Sequence, residues 1–320
     1  MQKVLKIGTR DSQLAVWQAT LVKEQLAKHN IESELVFIKS DGDIDLVTPL
    51  YEIGVQGVFT KTLDAALLSN KIDIAVHSMK DVPTQPAKGI VQAAVLKRAS
   101  YKDILVVKED TSKVKSQKSI LDIINTPSEE GGYTIATSSI RRKAQWLHRY
   151  PNHQIENLRG NVNTRLRKVE EHNWNGAIFA AAGLERLGLR PDNSVELDWM
   201  LPAPAQGAIM IVCREQDKDA ADKCVLLNDE PTAICVKAER DFLRELMGGC
   251  STPISALGEI KNDNFLFKGN IFSLDGKEKI ETEIICPVNT IHPAIGTSAA
   301  EDLLNKGADK IVKLIRNVFK

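Results

Sequence analysis

Apolar residues along this chain fall into short blocks, separated by polar turns rich in glycine, proline and hydroxyls. Val4–Gly8 reads as a short strand. Leu14, Trp17 and Leu21 then recur at three- and four-residue spacing, as the buried face of a helix requires, and Asp11 or Ser12 is placed to cap it. Leu35–Lys39 follows as a strand, Thr60–Ser69 as a helix and Ile72–Val76 as a buried strand. The intervening Ser40–Gly57 is long and polar and reads as a mobile loop.

A second unit opens near Tyr101 with the apolar run Ile104–Val107 and a polar stretch, Lys108–Lys118. Tyr133–Thr137 predicts a strand, Ser138–Tyr150 a turn and helix, Ile155–Leu158 a strand, Val162–His172 a helix and Ala177–Ala181 a strand. Alternation of this kind implies parallel sheets with helices on both faces. Leu201-Pro202-Ala203-Pro204 marks a crossing back to an apolar strand, Ala208–Cys213. A helix over Thr232–Leu246 leads into a loop. Ile254–Ile285 then alternates, with the turn Asn262-Asp263-Asn264, as an antiparallel sheet does. Helices over Thr297–Asn305 and Ala308–Val318 close the chain.

Composition narrows the class. The chain has 320 residues, 43% hydrophobic and 26% charged, with a net charge of zero. Such length suits two or three domains, and neutrality gives no global field for nucleic acid. No helix-turn-helix, aromatic platform or zinc pattern supports a nucleic-acid partner either. No apolar run approaches membrane-spanning length, and the start lacks a signal-like apolar core. The five cysteines (213, 224, 235, 250, 286) are widely spaced, and the histidines lack metal-ligand spacing, so no metal is expected. A reducing cytoplasm is the simplest setting.

Charge is uneven despite the zero sum. Between Arg141 and Lys168 stand eight lysines or arginines against one acid, Glu156. Thr137-Ser138-Ser139-Ile140-Arg141-Arg142 turns a strand end into a helix, where backbone N–H groups and the helix dipole favour an anion. Two adjacent arginines are not expected to face the core together, so at least one should face solvent or an anion. Arg159-Gly160-Asn161 and Arg165 extend the cluster. Ser78-Met79-Lys80-Asp81 ends a buried strand, the usual place for ligands in α/β sheets, and Thr9-Arg10-Asp11-Ser12 repeats that topology. Cys250 lies in Met247-Gly248-Gly249-Cys250-Ser251-Thr252-Pro253, a turn-like setting that can expose a thiol. These features leave an enzyme and a non-catalytic anion receptor both open.

The motifs Ile74-Ala75-Val76-His77-Ser78-Met79-Lys80-Asp81-Val82-Pro83, Thr137–Arg142, Leu158-Arg159-Gly160-Asn161-Val162, Ala182-Gly183-Leu184-Glu185-Arg186-Leu187-Gly188 and Gly248-Gly249-Cys250 occur in an order that resembles the porphobilinogen deaminase (hydroxymethylbilane synthase) family nearly end to end. The resemblance implies an α/β fold with two periplasmic-binding-protein-like domains and a smaller α+β C-terminal domain with an antiparallel sheet. The expected divisions are 1–98 with 199–216, 99–198, and 217–320. It implies a transferase that joins four porphobilinogens, with loss of ammonia, into hydroxymethylbilane for tetrapyrrole biosynthesis. The cofactor implied is a dipyrromethane primer held by a thioether to Cys250. Asp81 becomes the catalytic residue. Arg10, Ser12, Ser78, Lys80, Thr137, Ser138, Ser139, Arg141, Arg142, Arg159, Gly160, Asn161 and Arg165 become the cofactor and substrate contacts. Gln56, Phe59 and Lys61 would belong to a lid loop. A cytoplasmic monomer without metal, membrane or nucleic-acid partners is expected.

The chain departs from the family's pattern in four places. Gly54-Val55-Gln56-Gly57 stands where Gly-Gly-Lys-Gly is common, and Thr62 where an acid is common. Ala136 and Ala205 stand where glycine is usual.

Overall fold

The structure is a computed structural model and describes residues 3–39, 60–108, 132–246 and 252–318. The expected loop Ser40–Gly57, Gln56, Phe59 and Cys250 lie outside the described residues.

The first sheet contains β1 (Leu5–Thr9), β2 (Ser33–Phe37), β3 (Ile74–Ser78), β4 (Ile90–Val95) and β10 (Ile209–Arg214), in the order β2-β1-β3-β10-β4. The second contains β5 (Asp103–Val107), β6 (Thr134–Ala136), β7 (Gln154–Glu156), β8 (Gly176–Ala180) and β9 (Ser194–Glu196), in the order β7-β6-β8-β5-β9. The two lobes thus repeat one plan. The sheets are mixed rather than parallel, because β10 runs antiparallel to β3 and β4, and β5 antiparallel to β8 and β9. Each of these strands enters its sheet directly from a crossing between lobes, without the helix that a parallel connection needs.

Helix α1 (Gln13–Lys28) covers one face of the first sheet and α2 (Lys61–Leu68) the other. The deepest stripe of α1 is Ala15, Ala19, Val22 and Leu26. Leu14, Trp17 and Leu21, expected to form the buried face, are only half-buried. Ser12 occupies the N-cap position but makes no side-chain cap bond. Helix α6 (Lys218–Val225), placed in the third domain by the sequence, packs Ala220 and Cys224 into the first sheet's core. In the second lobe, α3 (Ile140–Arg149) lies on one face, with Trp146 fully buried, and α4 (Val162–Glu171) and α5 (Ala181–Glu185) lie on the other.

The third sheet is an antiparallel meander of β11 (Ile254–Lys261), β12 (Asn264–Phe272) and β13 (Lys279–Pro287). Its core is closed by α7 (Glu230–Glu245), α8 (Ile295–Leu303) and α9 (Asp309–Val318). The hairpin after β12 meets α3 of the second lobe. There His148 Nδ1 lies 2.7 Å from the Gly276 carbonyl. A Cβ on Gly276 would stand 2.5 Å from the Ala144 carbonyl oxygen, and its φ of 76° also favours glycine.

The two crossings between the lobes run side by side. Ala99 N–H donates to the Gly207 carbonyl at 3.1 Å, and Leu96 N–H to that of Ile209 at 3.0 Å. A Cβ on Gly207 would sit 2.7 Å from the Ala99 and Ser100 carbonyl oxygens. Ala205, beside it, is buried at φ 61°. That left-handed backbone costs an alanine about 1–2 kcal/mol, a strain that the glycine usual at this position avoids.

Candidate active site

Residues beyond the carboxyl ends of the parallel strands build the site. β1 runs into Arg10 and Ser12, and β3 into a 3₁₀ turn, Met79–Asp81. β6 leads through Thr137, Ser138 and Ser139 to α3, and β7 through Arg159 and Gly160 to α4. The charges of Arg141, Arg142 and Asp103 act on Lys80, and that of Asp81 acts on Arg165. The Met79–Asp81 turn of one lobe therefore faces the helix ends of the other.

Arg141 and Arg142 are only 4% and 6% exposed, so both are buried, against the sequence expectation. The physical reason is Asp103, the fully buried first residue of β5. Arg142 donates from Nε and Nη2 to Asp103 Oδ1 at 3.0 and 2.8 Å, and Arg141 Nη2 stands 2.7 Å from Oδ2. Gln206 from the returning crossing donates to Oδ1 at 2.9 Å. Arg142 also donates to the Ile178 carbonyl and Arg141 to that of Leu201. Burial alone would raise the Asp103 carboxyl, but Arg141 and Arg142 pull it down to about 2. Arg141 Nε is a buried donor without a hydrogen-bond partner in the structure.

Among the described residues, Asp81 and Asp103 lie within electrostatic reach of Lys80, Arg141, Arg142 and Arg165, and Arg159 within reach of Arg165. Burial, partly offset by Asp81 and reinforced by the arginines, lowers Lys80 to about 8. Burial and then Arg142 and Arg159 lower Arg165 to about 10. An anion entering this space meets guanidinium and ammonium groups from both lobes. The basic run divides by face: Lys143, Arg149 and Arg167 are exposed, whereas Arg141, Arg142 and Arg159 point inward.

The smaller polar residues are largely engaged with backbone. Ser139 accepts weakly from Arg142 N–H as the cap of α3, and Asn161 accepts from Thr164 N–H at 2.9 Å as the cap of α4. Ser138 Oγ accepts from Leu158 N–H at 3.0 Å, tying the two loops together. Thr137 is buried and accepts from Ser139 N–H. Gly160 has φ 113°, and Arg165 Nε donates to its carbonyl at 2.7 Å. Ser78 accepts from Gln18 at 2.8 Å. Lys61 opens α2 and is exposed. Arg10 lies close enough to the buried His77 to reinforce the effect of burial, which lowers that imidazole to about 4.

Sequence reasoning did not single out Asp103, Gln206 or Arg186. An acid directly before the apolar run Ile104–Val107 was the available signal for Asp103. Arg186 donates to the Gly207 carbonyl at 2.7 Å and lies 5.7 Å above the Trp17 ring, joining the second lobe to α1 and the crossing. No local pattern reveals that meeting.

Asp103→Asn is expected to destabilise the fold by about 3–5 kcal/mol, because two buried guanidiniums lose their shared counter-ion. Asp103 has a depressed folded-state pKa. Its contribution is therefore full above its ordinary value of 3.8 and fades as the pH falls from there towards about 2. Urea unfolding followed from pH 7 to pH 2 would show that share disappear in the parent, with no matching change in the variant. Equal stability of the two proteins at neutral pH would refute the role given to Asp103.

Fold and site together define a two-lobed α/β protein whose strand-end loops bring lysine and arginine together, joined to a third domain that grips both lobes. Residues 5–222 match the model described as porphobilinogen deaminase, dipyromethane cofactor binding domain, and residues 233–305 the porphobilinogen deaminase C-terminal domain. The chain belongs to the porphobilinogen deaminase family. It is 38% identical to the porphobilinogen deaminase of Chlorobium phaeobacteroides over 99% of both chains. It is 40% identical to that of Syntrophotalea carbinolica, over 96% of this chain and 95% of that one. Among solved structures it is similar to the methionine-binding protein MetQ, at 16% identity and a TM-score of 0.42, over 70% of this chain and 89% of that one. Among the described residues, no helix is long and apolar enough to cross a membrane, and no group of three His, Cys, Asp or Glu could hold a metal.

Proposed function

We propose that this chain joins four porphobilinogen molecules head to tail, with loss of ammonia, into hydroxymethylbilane, as a cytoplasmic monomer without metal. The observation that carries the reading, beside family membership, is that Lys80 and Asp81 on one lobe stand within electrostatic reach of Arg141, Arg142 and Arg165 on the other. Each pyrrole of the substrate bears an acetate and a propionate, so a growing chain is a strong anion. The buried Arg141 Nε, a donor without a hydrogen-bond partner in the structure, fits a carboxylate of a dipyrromethane held here. When bound, that group supplies the free pyrrole position onto which the first substrate unit is joined. In this reading Cys250 tethers it by a thioether.

The chain's own residues have three tasks. Lys80, Arg10, Arg141, Arg142, Arg159 and Arg165, with Ser12 and Ser139, hold carboxylates. Charge-assisted hydrogen bonds of this kind contribute about 1.5–3 kcal/mol each. Asp81 directs its negative charge at the pyrrole N–H groups and stabilises the positive charge that develops as ammonia leaves. Ser78, Thr137, Ser138, Gly160 and Asn161 keep the strand-end loops in place. Gln56, Phe59 and Lys61 complete a lid. The working divisions are a first lobe of 1–98 with 199–216, a second of 99–198, and an anchor domain after 217. Since α6 packs on the first sheet, its surface belongs energetically to the first lobe.

Intact mass spectrometry tests the reading. Purified protein should carry two pyrrole units, and incubation with porphobilinogen should add a ladder of one to four more. Protein that stays unmodified and consumes no porphobilinogen would defeat it.

A further inference from the structure

Helix α7 carries charged residues in its interior, Glu239, Arg240 and Asp241, yet Glu239 is fully buried. Thr232, Val236, Glu239 and Arg240 recur at helical spacing on a stripe that leaves the third domain and meets the first lobe and the crossings. Thr232 accepts from Arg98 N–H at 3.1 Å. Val236 is fully buried in the core that holds Met79 and Val82. Glu239 takes Arg98 on both oxygens and accepts from Ala205 N–H at 2.6 Å and Gly258 N–H at 2.7 Å. The other stripe, with Phe242 and Leu246, packs on the third sheet.

Arg240 makes the unusual contact of this stripe. Its Nη1 donates to the carbonyls of Val82 at 2.9 Å and Met79 at 3.3 Å, and its Nη2 to that of Pro83 at 2.6 Å. These three carbonyls flank the turn that presents Lys80 and Asp81. A planar guanidinium can fork across several acceptors at fixed angles, which an ammonium cannot do. Met79 N–H is also held by the Ala208 carbonyl and Val82 N–H by that of Met79, and both side chains are buried, so Arg240 adds three bonds to a turn already seated in the core. Cys250 follows the end of the same helix by five residues.

We propose that Arg240 is a positioning residue for Asp81: it clamps the backbone of the catalytic turn, and α7 so sets the anchor domain and the catalytic carboxylate in one register. The proposal rests on the assignment of Asp81 given above. It gives a reason for a buried, charged helix between two hydrophobic cores. Displacing a reacting group by about 1 Å can cost on the order of a hundredfold in rate.

The test uses the full-length protein carrying its adduct. Arg240→Ala should lower kcat by about tenfold to a hundredfold and leave KM for porphobilinogen nearly unchanged. Its intact mass should still show the two-pyrrole adduct. Hydrogen exchange at the Met79 and Val82 amides should accelerate. Arg240→Lys should recover only part of kcat. Placed in an Asp81→Asn background, Arg240→Ala should cost no further rate, because the group it positions is already disabled. Parent-like kcat and unchanged exchange at Met79 and Val82 in Arg240→Ala would overturn the proposal, and so would a full, independent loss in the double variant. If Asp81→Asn alone keeps full activity while exchange at the turn still accelerates in Arg240→Ala, the clamp stands and the assignment of Asp81 fails. Should Arg240→Ala not fold, Arg240→Lys carries the same comparisons.

Discussion

Cys250→Ala is expected to yield a folded protein that carries no pyrrole adduct and forms no hydroxymethylbilane. No other cysteine among the described residues offers an equivalent thiol. Cys213, Cys224 and Cys235 are buried, and burial pushes the Cys224 and Cys235 thiols up to about 12. A thiol held that high is almost wholly protonated near neutral pH and is a poor nucleophile. Cys286 is half-buried on the meander and serves as the control. Cys286→Ala should retain adduct and activity. Intact mass and product absorbance, measured on both variants, decide the matter. An adduct or full turnover in Cys250→Ala would place the anchor elsewhere.

Asp81→Asn is expected to fold, keep the shape of the turn and lose turnover by about a hundredfold or more. The amide fills the same space but carries no charge, so stabilisation of the cation formed as ammonia leaves is removed. Asp81 acts on both Lys80 and Arg165, so the amide also removes a charge that these cations meet. Circular dichroism would establish the fold, and single-turnover mass spectrometry would separate slow unit addition from slow release. A steady-state rate within about threefold of the parent would exclude the electrostatic role.

Much of the secondary structure was legible because each element obeys a local rule. The run Ile74–Ser78 is apolar enough to sit in a sheet buried on both faces, and Asn161 and Asp229 precede their helices as caps. β4, β9, α5 and α6 were not read. The direction of β5 and β10 was also hidden. Strand direction depends on where the chain arrives from, and both arrive through the crossings.

The candidate site was legible as residue types and only partly as geometry. Arg141, Arg142, Arg159 and Arg165 announce an anion by their density. Their orientation depends on Asp103, thirty-eight residues before Arg141 in the sequence and in direct contact with it in space. A sequence rule that adjacent arginines avoid the core holds only while no buried carboxylate is available, and one carboxylate with two oxygens serves both.

By itself the sequence determined the period of each helix and strand, the family and the kinds of side chain that the chemistry needs. Those properties are local, or follow from ordered motifs along the chain. Only the tertiary structure decided which charges meet. It set Asp103 between two arginines, turned Leu14 and Trp17 to a half-buried position, and brought Arg240 behind the turn of Asp81. Such pairings join residues up to 161 positions apart. They are fixed by close packing and by the need to satisfy every buried charge, and neither condition leaves a mark on local spacing.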